Sequence, residues 1–145
     1  KIIEQEEVRK LLQPKDCIQL MAEALKGLES GEYAQPARLI TVMPNTAKFG
    51  FMPAYVGDYF GAKVISAFAP NMGTKYPSHI GYVMLFESAH STVAGMIEAG
   101  SITEIRTGAV SAAATDLLAR KDSHKLALIG AGAQARSSGC DPRDS

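Results

Sequence analysis

Three cations stand out for their surroundings: Arg38, Lys63 and Arg106 each fall in or beside an apolar stretch. Arg106 lies at helical spacing from Ile102, Ala109, Val110, Ala113 and Leu117, which places it on an apolar face. A guanidinium there is costly unless an anion meets it. The spacing predicts a helix over residues 101–120, with Arg106 in its first turn, where free backbone N–H groups and the helix dipole favour anions. Lys63 is the only charge between Asp58 and Lys75, and by period-two counting it shares a strand face with Ile65 and Ala67. Arg38 opens a strand just after Pro36 and Ala37. Brought together, the three would make a carboxylate pocket, since arginine offers bidentate geometry and lysine a point charge. Each also has a plainer reading: an internal salt bridge for Arg106, snorkelling to solvent for Lys63, and an exposed strand end for Arg38.

A second group lies near the end of the chain. Leu126, Ala127, Leu128 and Ile129 form a short apolar run that reads as a buried parallel strand, followed by Gly130-x-Gly132-x-x-Ala135. A strand feeding such a turn is how a dinucleotide-binding unit opens, because the glycines allow a tight turn and close backbone approach to a pyrophosphate. The plainer reading is a strand, turn and helix with no ligand. After Ala135 the chain reads RSSGCDPRDS, with Gly139 and Pro142 opposed to helix. Asp141 and Asp144 arrive too early to be the ribose-binding acid that such a unit places about 20 residues on. These features lead us to expect a truncated or frame-altered C-terminus and an incomplete Rossmann domain.

The remaining reactive residues suggest less. His79, His90 and His124 show no metal-ligand spacing. His79 could line a pocket at the start of a strand, or be a satisfied structural histidine. Cys17 and Cys140 are far apart, without a metal or disulfide pattern, and no constellation suggests a covalent nucleophile. The methionines, Met43, Met52, Met72, Met84 and Met96, read as core. Lys plus Arg and Asp plus Glu number 15 each, and this balance gives no sign of a nucleic-acid or anionic-membrane partner. No apolar run approaches the roughly 18 residues of a membrane span. The charged start, KIIEQEEVRKLL, is unlike a secretory signal, so a cytoplasmic location is the default expectation.

These residues need elements to position them. A short helix is expected over 6–12, stopped near Pro14, then a longer one over 16–30 with Asp16 as N-cap and Gly31 past its end. Short strands follow: RLITVM, FGFMPAYV, AKVISAF, HIGYVMLF and TVAGMIEA, with residues 87–91 at a hairpin tip. Ser101 and Glu104 have capping-box spacing at the start of the last long helix. Its small residues, Gly108, Ala109, Ala112, Ala113 and Ala114, suit close packing or simply helix propensity. Together these features predict an α+β domain with a mostly antiparallel sheet over residues 1–118. The start of a second, α/β domain is expected over 122–136, with an atypical tail over 137–145.

Five segments taken together, GFMPAY, GAKVIS, PSHIGYVMLFE, ITEIRTGAVSAAAT and LALIGAGAQAR, resemble the ornithine cyclodeaminase/mu-crystallin family. The resemblance runs in order over residues 2–136. It implies an N-terminal substrate and dimerisation domain whose subunits join sheets across a two-fold in a homodimer, and a Rossmann domain for NAD(H) or NADP(H). It places Arg38, Lys63 and Arg106 where the family holds its substrate carboxylate, with Lys63 also the catalytic candidate. Thr107, Gly132, Ala133 and Gln134 match positions that approach the cofactor, joining Gly130 of the glycine turn. The implied chemistry is hydride transfer at the α-carbon of an amino acid or cyclic imine, as in a ketimine reductase, an amino-acid dehydrogenase or a cyclodeaminase. The cyclodeaminase branch carries a Glu just before its Met-Pro pair, whereas this chain reads Gly50-Phe51-Met52-Pro53, more like the mu-crystallin branch. The family's catalytic Asp and cofactor-specificity loop lie in the Rossmann half, so NAD against NADP stays open and the 145 residues alone are expected to be inactive. The competing expectation is a protein that binds NADPH or a small ligand without turnover.

Overall fold

The computed structural model describes residues 1–130 and 133–137. Strand β1 (Ile2–Ile3) leads into helices α1 (Gln5–Leu11) and α2 (Pro14–Ser30). Five strands follow, β2 (Leu39–Val42), β3 (Lys48–Val56), β4 (Tyr59–Ala67), β5 (His79–Glu87) and β6 (Val93–Glu98), and then helix α3 (Ala99–Leu118). A short helix α4 (Ala133–Ser137) comes last. The sheet order is β1-β6-β5-β4-β3-β2. All neighbours are antiparallel except β1, which runs parallel to β6, so the sheet is mixed rather than purely antiparallel. The α+β class expected from sequence is the one observed.

The helices begin earlier than their sequence signals suggest. Pro14 takes the first position of α2, with Gln13 as N-cap, so Asp16 sits inside the first turn rather than capping it. Proline suits that place because its missing N–H is one of the helix's unsatisfied donors in any case. Gly31 closes the helix in the left-handed conformation, φ 78°, as its position past the periodic residues implied. Helix α3 starts at Ala99, not at Ser101. The Glu98 carboxylate accepts hydrogen bonds from the backbone N–H groups of Gly100 and Ser101 and supplies the cap assigned from sequence to Ser101.

The small residues of α3 face inward. Gly108, Ala109, Ala112 and Ala113 are buried while Ala114 is exposed, and α3 packs along α2, where Cys17 and Gly27 are buried. Small side chains on one face let the two backbones approach, so helix propensity alone does not account for the run. Gly108 also meets α4, since a Cβ there would collide with the backbone of Ser137.

The two faces of the sheet differ. Met52, Lys63 and Val83 are successive cross-strand partners on β3, β4 and β5, and therefore point to one side. A hydrogen bond from Lys63 to Thr103 shows that α3 lies on that side. The alternate residues point the other way. There Phe60 stacks on Phe86, its partner across the ladder, while Phe49, Phe51, Tyr55 and Ile80 are exposed.

Residues 126–129 do not form the expected strand. No strand is present over 125–130, and Leu126, Leu128 and Ile129 are exposed. An apolar run becomes a ladder only beside another strand, and none pairs with it among the described residues. Residues 131, 132 and 138–145, which hold Gly132, Cys140 and most of the atypical tail, lie outside the described residues.

Replacing Glu98 by Ala is expected to lower stability by about 1 kcal/mol, the usual cost of losing a helix N-cap. The midpoint of urea unfolding, with an unchanged slope, would measure it.

Candidate functional site

Lys63 sits at the middle of β4, half-buried, and its ammonium donates a hydrogen bond to Thr103 Oγ1 at 2.8 Å. The Thr103 hydroxyl in turn donates to the Ala99 carbonyl at 2.6 Å. That second bond commits the hydroxyl proton and turns the oxygen's lone pairs toward Lys63. The Thr103 carbonyl accepts from Thr107 Oγ1 at 2.6 Å and from the Gln134 amide at 3.5 Å. Thr103 therefore links the sheet, the helix and the segment after the glycine turn. Sequence reading passed it over because a threonine within a helix has no pattern of its own.

Arg38 arrives by register. It precedes β2, in which Ile40 lies opposite Gly50 on the α3 side, so period-two counting puts Arg38 on that side too. The connection that carries it is held at its start. Tyr33 N–H donates to the Gly27 carbonyl at 2.9 Å, and Ala34 and Tyr55 exchange backbone bonds of 3.0 and 2.8 Å. The Tyr33 ring lies directly on Gly27, where a Cβ would have no room.

Arg106 comes from α3, but not for the reasons its sequence position suggested. It is the eighth residue of a helix that begins at Ala99, past the first turn, and it is exposed rather than buried on an apolar face. Neither the helix terminus nor the cost of burial explains it. What places it is proximity to Lys63. Burial pushes the Lys63 ammonium below its ordinary value of 10.5, and the positive charges of Arg106 and then Arg38 push it further in the same direction. Among the described residues no carboxylate forms an ion pair with any of the three.

The cluster lines a cavity of about 630 Å³. Its walls come from α2, α3 and strands β3 to β5, and Met52 contributes to it instead of to the core. Met72, also expected in the core, is 71% exposed. His79 is exposed, with its ring beside the Ser78 hydroxyl, and takes no part in the cavity. His90 is at the β5–β6 hairpin, where its backbone N–H donates to the Glu87 carboxylate. Burial raises the Cys17 thiol above its usual value.

Of the residues expected near a cofactor, Thr107 and Gln134 meet at the Thr103 carbonyl. Gly130 has φ +111°, with open space where a Cβ would stand, a backbone conformation that L side chains rarely adopt. That openness fits close backbone approach by a pyrophosphate. Ala133 begins α4, and Gly132 is outside the described residues.

The described residues thus define an α+β domain with a cation-lined pocket between its sheet and its helices. Residues 1–140 match the model of the ornithine cyclodeaminase/mu-crystallin family, and the chain belongs to that family. It is 35% identical to the ketimine reductase mu-crystallin of Mus musculus over 120 residues, covering 81% of this chain and 38% of that protein. Among solved structures it resembles the Thermococcus litoralis Delta(1)-pyrroline-2-carboxylate reductase in complex with NADH and L-proline. There the TM-score is 0.87 at 31% identity, over 94% of this chain and 43% of that one. An archaeal alanine dehydrogenase dimer with bound NAD matches with a TM-score of 0.90 at 26% identity, over 94% of this chain and 42% of that one. The chain therefore spans less than half the length of these relatives.

The Lys63 ammonium is expected to lose its charge through a midpoint below 10.5. Arg106→Met, which removes a neighbouring positive charge, should move that midpoint up; calorimetric titration across the alkaline range would show it. For folding, the lowered lysine has the opposite sign. The unfolded chain holds this proton more tightly, so the charge costs stability below the folded midpoint and the cost fades as pH rises toward 10.5. Thr103→Val removes the acceptor of Lys63 without changing side-chain shape, and the same titration is expected to show the Lys63 midpoint lowered further, since a hydrogen bond to the charged form is lost.

Proposed function

We propose that this chain is the substrate-binding part of an NAD(P)-dependent oxidoreductase acting at the α-carbon of an amino acid or cyclic imine. The observation that carries the proposal is the convergence of Arg38, Lys63 and Arg106 on one cavity with no carboxylate among the described residues paired to them. Three unneutralised cations beside one another repel, and a substrate carboxylate relieves that repulsion. In this reading the two guanidiniums grip the carboxylate and Lys63 touches both it and the reacting nitrogen. Thr103 holds the Lys63 ammonium in place. The side chains thereby fix the α-carbon in one orientation, which is where most of their contribution to rate arises. The bound nicotinamide supplies the hydride.

Cofactor contact is assigned to Thr107, Gly130, Gly132, Ala133 and Gln134. Support comes from the open backbone at Gly130, from the shared bond of Thr107 and Gln134, and from relatives named as binding NAD or NADH. In this reading residues 1–118 form the substrate domain, and 122–136 open a dinucleotide-binding domain. Carboxylate binding belongs to the first unit, while turnover requires the complete dinucleotide-binding half as well. A ketimine reductase fits better than an ornithine cyclodeaminase. The run into the Met-Pro pair is Gly50-Phe51 with no Glu, and the space above Gly50 is taken by Ile40 and Ile65.

The exposed apolar face of the sheet, with Phe49, Phe51, Tyr55 and Ile80, is the surface proposed to meet a second copy in a homodimer. Nothing in the charge pattern calls for nucleic acid, and no helix among the described residues is long and apolar enough to cross a membrane. A cytoplasmic location is the reading we adopt.

The whole protein is expected to oxidise NADH or NADPH in the presence of a cyclic ketimine. Arg106→Ala should lower kcat/KM by about 10- to 100-fold, the usual consequence of losing a charge-assisted hydrogen bond to substrate. Saturable nicotinamide binding without turnover on any cyclic imine would favour a non-catalytic ligand-binding protein. Sedimentation of Phe51→Glu should show a monomer where the parent is a dimer.

A further inference from the structure

Gly108 stands in the middle of α3, beside the buried alanines Ala109, Ala112 and Ala113. Alanine favours a helix interior and glycine opposes it, so a buried glycine among alanines calls for a reason in packing. The reason is α4. A Cβ on Gly108 would stand 2.3 Å from the Ser137 carbonyl oxygen and 2.6 Å from its carbonyl carbon. Its three nearest neighbours would all belong to Ser137, and none to α2 or the sheet. Backbone cannot swing aside as a flexible side chain does. An alanine here would therefore push α4 off α3 by roughly 1 Å.

Helix α4 is also tied at its start, where the Gln134 amide donates to the Thr103 carbonyl at 3.5 Å. Gln134 meets Thr103 and Ser137 meets Gly108 further along, so α4 runs beside α3. The turn at Gly130, with its open backbone at φ +111°, comes just before α4 and is placed by it.

We infer that Gly108 is a positioning residue for the cofactor. By admitting the backbone of α4, it sets the spacing between the helix that carries Thr107 and the segment that carries Gly130 and Gln134. The dinucleotide contacts proposed for these residues come from both sides of that gap. A wider gap leaves the cofactor held from one side only. Gly108 acts through α4, with no side chain of its own to offer.

This inference rests on the cofactor reading of the glycine turn, and the test separates the two. Fluorescence titration of the whole protein with NADH and NADPH would give the affinity for each, and circular dichroism the fold. Gly108→Ala is expected to weaken nucleotide binding by about 10- to 100-fold, the usual consequence of losing a charge-assisted hydrogen bond to a phosphate, with the helical signal unchanged. Ala113→Gly, buried in the same helix, is expected to keep the affinity within about twofold. The pair separates position from stability, because alanine at 108 favours the helix and glycine at 113 opposes it. Unchanged affinity in folded Gly108→Ala would overturn the inference and leave the cofactor reading standing. An equal loss in Ala113→Gly would overturn it too, since affinity would then follow helix stability. If Gly108→Ala does not fold, the glycine is a requirement of the fold itself and the inference fails. Failure of the unaltered protein to bind either nucleotide would remove the cofactor reading, and the inference with it.

Discussion

The hydrogen bond from Lys63 to Thr103, 2.8 Å long, is the interaction on which the site depends. An ammonium near two guanidiniums tends to move away from them, and a lysine on a sheet has four flexible bonds with which to do so. Thr103 opposes that motion because its own proton is committed to the Ala99 carbonyl, leaving its oxygen as an acceptor. The same residue's carbonyl gathers Thr107 and Gln134. A single helical turn therefore ties the centre of the sheet to the segment that follows the glycine turn.

That turn of α3 can be near the sheet only because of how the helix starts and packs. Glu98 ends β6 and caps α3 with no intervening loop, so the helix direction follows from the strand direction. The small residues from Gly108 to Ala113 then let α3 lie close along α2, whose Gly27 admits the Tyr33 ring and so holds the start of the connection to Arg38. Two packing choices made with glycine or alanine thus converge on one cation cluster. Larger side chains at these positions would move the cations apart without touching them.

The sheet serves two purposes with its two faces, as strict alternation permits. One face carries Met52, Lys63 and Val83 toward the helices, and the other presents aromatic and aliphatic side chains to solvent. The sequence shows this only faintly. On a strand covered on one side, polar residues usually mark the outward face, and here that face is as apolar as the inward one. For the same reason Lys63 was notable among apolar neighbours before its partners were known.

Local pattern determined most of the element order. The five strands β2 to β6, three of the helix bodies, the glycine that ends α2 and the hairpin after β5 all follow from periodicity and turn chemistry within a few residues. Arg38, Lys63 and Arg106 were legible as charges in apolar sequence, and the family from five motifs in order. Local pattern did not give the true starts of α2 and α3, because Pro14 and Glu98 lie just outside the apolar periodicity that marks a helix. It also gave a wrong reason for Arg106, which is exposed and past the first turn. It predicted a strand at 126–129, where apolar composition had no paired neighbour among the described residues to realise it. Tertiary structure alone decided that residues 38, 63 and 106 line one cavity, that Thr103 bonds Lys63, and that no carboxylate among the described residues pairs with them. Periodicity records which way a side chain faces along its own element. Which side chains share a cavity depends on strand register and helix docking, and those are set by contacts between residues remote in sequence.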